Sequence, residues 1–330
     1  MIGTRKKILS FCVTAAGLFL LFLFAVNTGS LKVSPAELWR GLFIQYDPNV
    51  ATIFDLRFPR IFIAMLGGAA TAVSGVLLQA VMKNPLADPG IIGVSSGASF
   101  TAVLVTAFFP SLFFFTPLFA FLGGMLAFLL VYSLSYKGGL APLRIILVGV
   151  AVNAMFTGLM SAFNSGTGSS YSGAASIVNA NITMKTWDDF RTLFLYTVIG
   201  LIASWFVAGR CNLLALEDKT ARSLGVNVTG SRIVISVIAV LLAGIATAVI
   251  GPISFLGLIV PHIARLLVGS NHRVLIPYTV LLGAFTLLLA DTVGRTIAAP
   301  YEISASVIMS VIGGPFFILL LRRSKHGYGQ

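Results

Sequence analysis

Ten apolar stretches, each close to the thickness of a bilayer, constrain this 330-residue chain more than anything else in it. They cover residues 8–26, 59–80, 91–109, 112–135, 143–163, 192–208, 233–250, 253–268, 275–295 and 303–321. A helix needs about 20 apolar residues to cross the hydrocarbon core, with a range of roughly 17–25. A globule of this length has too little interior to hide ten such segments, and only 10% of the residues are charged while 57% are hydrophobic. The runs are continuous rather than alternating, which argues against a β-barrel. The fold class is therefore an all-α polytopic membrane protein with about ten transmembrane helices.

Ten crossings place both termini on one side. Lys and Arg are expected to concentrate in cytosolic loops. With the N-terminus inside, fifteen of the 22 basic residues fall on that side, among them Arg5, Lys6, Lys7, Lys83, Arg210, Lys219, Arg222 and Arg232; seven fall outside: Lys32, Arg40, Arg57, Arg60, Lys185, Arg191 and Arg295. Both termini are thus expected in the cytosol. This bias also accounts for the net charge of +12 without any nucleic-acid partner. The run after Arg5-Lys6-Lys7 is too long for a signal-peptide core and reads as the first membrane helix. Residues 1–330 read as a single transmembrane domain, with outer loops at about 27–58 and 164–191 and a main inner connection at about 209–232. The second outer loop holds "NSGTGSSYSGAAS" and is expected to be mobile, with a short interfacial helix near Trp187.

The sequence lacks the usual means of chemistry. No Gly-Lys dipeptide occurs, so there is no Walker A loop. His262, His272 and His326 are dispersed, and Cys12 and Cys211 show no metal or disulfide spacing. No cofactor or metal is implied. Gly93-Val94-Ser95-Ser96-Gly97 matches G-x-S-x-G, but it opens a membrane helix instead of following a strand, so close helix packing explains it better than a hydrolase site. Asp291 is the exceptional acid within a span. It lies four residues before Arg295, which favours a local ion pair. Few intramembrane charges argue against a stand-alone secondary carrier. The chain reads as a transport pathway without its own energy source.

Two further stretches stand out. In "KNPLADPGIIGVSSGAS", residues 83–99, Pro85 and Pro89 end one helix near Lys83-Asn84 and delay the next. Such a backbone at membrane depth must be buried in protein or border water. A constriction at the inner mouth of a pathway and a plain tight turn both satisfy this. Within 209–232, the spacing of Glu217, Ala221, Leu224 and Gly225 suits a short helix, a turn and a second short helix, with Gly225 in the helix-ending conformation.

Residues 56–99, "LRFPRIFIAMLGGAATAVSGVLLQAVMKNPLADPGIIGVSSGAS", closely resemble the FecCD family, the permease subunits of bacterial ABC importers for iron chelates, haem and vitamin B12. The likeness continues through "LLALEDKTARSLGVNV", "GPISFLGLIVPHIARLLVG", "HRVLIP", "LLLADTVGR" and "IGGPFFILLLRR". The resemblance implies the type II ABC importer permease fold. It implies two cytosolic ABC ATPase subunits, an extracytoplasmic substrate-binding lipoprotein, and a second permease copy or homologue. It also implies an inner gate at Asn84, Pro85 and Leu86, an ATPase-coupling element at Glu217, Ala221, Leu224 and Gly225, and binding-protein docking at Arg57, Arg60 and Arg295. His262 in "VPHIAR" fits the family's general pattern and is expected to pack or to start a helix. The family's usual W-x-x-G-S is missing; "IVNANITMKTW" stands in its place, with Ile177, Ala180 and Asn181 at the deviating positions. Its ending is similar to haem permeases of Gram-positive bacteria, which favours haem over ferric siderophores, with cobalamin as the alternative cargo.

Overall fold

A computed structural model describes residues 2–28, 32–135, 142–167, 182–299 and 301–324, and all regular structure among them is helical. In chain order the helices are α1 (Thr4–Val26), α2 (Pro35–Phe43), α3 (Pro48–Met82), α4 (Val94–Phe108), α5 (Thr116–Ser135), α6 (Pro142–Thr167), α7 (Trp187–Phe206), α8 (Ala208–Leu214), α9 (Asp218–Ser223), α10 (Val228–Ile250), α11 (Leu256–Val268), α12 (His272–Thr296) and α13 (Ala305–Ser324). A 3-10 turn, Pro110–Phe115, leads into α5. Seven helices are long and apolar enough to cross a membrane, and α4, α11 and α13 are shorter apolar helices. Each of the ten apolar stretches coincides with one of these ten.

The centre of the bundle is α3. It packs against α12, α10, α7 and α11, while α1 lies on the rim against α12. Its most apolar stretch is 83% buried, against 6% for α1, so α1 stands at the outside of the bundle. Small residues allow this crowding. A Cβ on Gly68 would run into the Gly283 carbonyl of α12, and one on Gly75 into the Gly257 carbonyl of α11. With 35 residues, α3 is about 52 Å long at 1.5 Å per residue. That exceeds the roughly 30 Å of hydrocarbon, so the two ends of α3 can carry polar chemistry that its middle cannot.

Several boundaries differ from the sequence reading, and capping explains most of them. The second apolar helix starts at Pro48, not Pro59, because the Asp47 carboxylate accepts from the Asn49 and Val50 amides and Pro48 suits the first helical position. Pro59 therefore lies inside the helix. The expected outer loop at 27–58 is largely helical. Ser34 and Glu37 form a reciprocal capping box that starts α2. Trp39, Phe43, Ile44 and Tyr46 are exposed on and just after it, the pattern of an interfacial helix. Trp187 opens α7 itself instead of a separate short helix, through a second capping box between Thr186 and Asp189. The deviating residues Ile177, Ala180 and Asn181 and the "NSGTGSSYSGAAS" loop lie wholly or largely outside the described residues.

Candidate functional site

The N-terminal end of α3 meets the C-terminal end of α12 in a buried ion network. Arg60, 8% exposed, donates from Nε and Nη2 to the Asp291 carboxylate, with Nη2 to Oδ1 at 2.8 Å. Its Nη1 donates to Glu302 Oε2 at 2.9 Å. Arg295 approaches Asp291 Oδ2 at 3.3 Å, the local pair expected from its spacing. The Thr183 hydroxyl donates to Glu302 Oε2 at 2.7 Å, tying the entry of α7 to the entry of α13. Burial pushes the Glu302 carboxyl up, but Thr183 and Arg60 outweigh it and hold it below its ordinary range. Arg57 donates to the Val26 carbonyl at 2.7 Å, satisfying an orphan acceptor at the end of α1.

All three arginines line one cavity of about 750 Å³, together with Thr183, Met184 and Glu302. Its wall holds three cations and one carboxylate, Glu302, while Asp291 pairs with Arg60 and Arg295 without lining it. The Arg295 side chain is 7% exposed, and its Nη2 finds no hydrogen-bond partner among the described residues. The geometry separates the three arginines: Arg60 is held by two carboxylates, Arg295 is buried with a donor to spare, and Arg57 is half-buried at the rim.

From Arg60 to Lys83 the helix climbs about 35 Å, and a second cluster gathers there. α3 ends on Lys83, whose backbone is left-handed at φ 49°. Asn84 follows, 2% exposed, its Oδ1 accepting from the Leu86 amide at 2.9 Å. Pro85 is exposed and Leu86 packs against the core. Lys83 Nζ lies 2.8 Å from Asp218 Oδ1 and donates to the Leu216 carbonyl at 2.5 Å. Arg232 Nη2 donates to the same Asp218 oxygen at 3.0 Å. The Lys83 hydrogen bond, with Arg232 adding to it, holds the Asp218 carboxyl below its ordinary range.

Two short helices precede the turn at Gly225. α8 and α9 flank residues 215–217, Gly225 follows the second of them, and α10 begins three residues later. Gly225, at φ 79°, ends α9 with paired bonds from Gly225 N to Arg222 O and Val226 N to Ala221 O, the Schellman arrangement. Ala221 is buried and holds α9 to the bundle, whereas Leu224 is 63% exposed and Glu217 is exposed.

The break between α3 and α4 is a polar hub. Asp88 is fully buried, and its Oδ1 accepts from the Gly90 and Ile91 amides at 2.8 and 3.1 Å. Its other oxygen lies against Gly257 at the head of α11. Burial pushes its carboxyl up to about 6, although the amides of Ile91, Gly90, Phe255 and Gly257 favour the charged form. Gln79 bridges the Ala87 and Gly257 carbonyls and accepts from Arg265. Ser95 is buried, and the Ser96 hydroxyl bonds back to Gly93 O, so the G-x-S-x-G match is helix packing. His262 packs edge-on against Phe316, the packing role expected of it.

Along α6, Asn153, Thr157, Ser161 and Asn164 share one face and border a cavity of about 250 Å³ with Ser96 and Ser254. Lipid penalises polar groups, so this face of an otherwise apolar helix meets water or another chain. Helical spacing would have marked it in the sequence. Asp88 has no such mark, because an acid in a loop carries no signal of its burial.

The FecCD transport family matches residues 17–323. The chain belongs to this family. It is 39% identical over 325 residues to the probable heme-iron transport system permease protein IsdF of Staphylococcus aureus strain Newman, covering 98% of each chain, and equally to that of strain USA300. The fold is that of a metal-chelate type ABC transporter solved in an inward-facing conformation, with TM-score 0.77, 28% identity, and 96% and 99% of the two chains covered. PsaBC from Streptococcus pneumoniae in complex with Fab shares the fold at TM-score 0.58 and 16% identity, over 87% of this chain and 95% of that one. The protein is thus a multi-pass membrane transport protein with the ABC importer permease architecture.

Proposed function

We propose that this FecCD chain is the membrane-spanning permease of an ABC importer that carries an iron complex, haem in preference to ferric siderophore, into the cytoplasm. The observation that carries this reading is its end-to-end likeness to a heme-iron permease. One domain of ten crossings, both termini cytosolic, pairs with a second copy or a homologue. Two ATPase subunits bind the α8–α9 end, where Leu224 and Glu217 are exposed beside a cavity of about 430 Å³ lined by Gly225 and Asn227. A substrate-binding lipoprotein docks at the arginine end. An acidic side chain from it enters the cavity of Arg57, Arg60 and Arg295, where three cations face one lining carboxylate, Glu302, and Arg295 keeps an unused donor. Asn84, Pro85 and Leu86 form the inner gate, and the uncharged amide and hydroxyl stripe of α6 lines the pathway.

The test is reconstitution of the chain with its ATPase and binding protein in liposomes. ATP-dependent uptake of haem is the expected result, with ferric siderophore and cobalamin as competing cargoes in the same assay. Haem uptake by the permease without the ATPase, or uptake of cobalamin alone, contradicts the reading.

A further inference from the structure

Lys83 has a conformation that its backbone disfavours. A residue with a Cβ loses stability in the left-handed region, where helices usually end on glycine or asparagine. This chain has a lysine there, at φ 49° and ψ 35°. The side chain supplies the reason. It reaches across to the Leu216 carbonyl in the turn between α8 and α9, and to the Asp218 carboxylate at the first residue of α9. Asp218 is in turn held by Arg232 on α10. Three separate elements therefore converge on one carboxylate oxygen, and the residue after Lys83 is Asn84.

The surroundings of this junction are fixed. α8 is pinned to the head of α12, because the Asn212 side chain bonds both Asn271 and the His272 amide. The far side of the 84–93 loop is pinned by Asp88 to the Gly90 and Ile91 amides and by Gln79 to Ala87. The Lys83–Asp218 pair is about one-third exposed on each side. An exposed pair contributes little to the fold. It does connect the end of α3 to α9 directly.

We infer that Lys83 and Asp218 are positioning residues that transmit displacement of α9 to the loop at Asn84–Leu86. The inference rests on the proposed coupling and gate roles of those two segments. A push on α9 moves Asp218 and Leu216. Both hold the same ammonium group, and the lysine backbone leads directly into the loop.

The discriminating substitution is Lys83→Gly, compared with Lys83→Arg and Lys83→Met, in the full complex reconstituted with ATPase and haem-loaded binding protein. Glycine relieves the left-handed backbone and removes the handle. Thermal stability should rise, while haem taken up per ATP hydrolysed falls about fivefold, the factor equivalent to ~1 kcal/mol at the upper end for an exposed pair. Lys83→Met should lose the same coupling without the gain in stability, and Lys83→Arg should keep it. A Lys83→Gly complex with wild-type uptake per ATP overturns the link. So does a loss in Lys83→Arg as large as in Lys83→Met. If the wild-type complex transports but Lys83→Gly is unchanged, only the link fails. If the wild-type complex shows no ATP-driven uptake, the coupling reading and the link fail together.

Discussion

The two ends of α3 hold their charges in opposite ways. At the arginine end, Asp291 is 2% exposed and serves two guanidinium groups, each itself mostly buried. At the Lys83 end, Asp218 also serves two cations, but it is about one-third exposed. Buried ions need every partner in place, because an unpaired charge in low dielectric is very costly. Exposed ions exchange partners with water at little cost. The first arrangement suits a fixed platform, and the second a joint that moves through a cycle.

The largest effect should come from breaking the platform. Asp291→Ala leaves Arg60 and Arg295 buried without their shared carboxylate, and a loss of about 3–5 kcal/mol is expected. In detergent, thermal unfolding should show a marked fall in midpoint or a loss of folded protein. A stability unchanged from wild type would place the network in water, against the burial of Asp291, Arg60 and Arg295.

Next is Gly225→Val. The space around Gly225 is open, so the cost is backbone strain alone, about 1–2 kcal/mol for a side chain in the left-handed region. The variant should fold, with a modest fall in melting temperature, and the complex reconstituted with it should hydrolyse ATP without matching uptake. Normal uptake per ATP would remove the turn from the coupling element.

Asp88 offers a pH test with a definite sign. Its folded carboxyl is raised from 3.8 to about 6, so between these values the folded chain holds a proton that the unfolded chain has released. Stability from this group falls as pH rises from about 4 to about 6 and is level above that. Glu302 and Asp218 act the other way: their folded carboxyls are lowered, so their contributions are present at neutral pH and lost in acid below their ordinary range. Melting curves of wild type and Asp88→Asn should converge near pH 4 and separate by pH 6. Parallel curves across that window would contradict the assignment. The smallest effect is Asp218→Asn, expected to change stability by under about 1 kcal/mol and less in high salt. A loss comparable to Asp291→Ala would erase the contrast between the ends.

What the sequence revealed follows the same contrast. Local physics was legible: the ten apolar runs are all helical, the Asp291–Arg295 pair sits at its helical spacing, and Gly225 takes the conformation its position required. The Arg60–Asp291 contact was not, because its partners are 231 residues apart and only the packing of α3 on α12 joins them. Arg60 alone reads as an exposed docking cation; in the fold it is the centre of a buried network. The start of α3 and the existence of α2 were written in Asp47-Pro48 and in Ser34 with Glu37, local signals outweighed by the hydropathy ruler. Asp88 acquires its character from Gly90, Ile91 and the distant head of α11, which no window on the chain contains.

The claim beneath all of this is that the two ends of α3 face different compartments. Single cysteines at Leu224, 63% exposed, and Tyr301, 80% exposed, report on them directly. Cys12 is first replaced by serine; Cys211 is buried, and burial pushes its thiol up to about 12, which keeps it unreactive. With a membrane-impermeant maleimide on intact cells, Tyr301→Cys should label and Leu224→Cys should not, and in inside-out vesicles the pattern should reverse. Labelling of Leu224→Cys from outside, with Tyr301→Cys protected, would contradict the account.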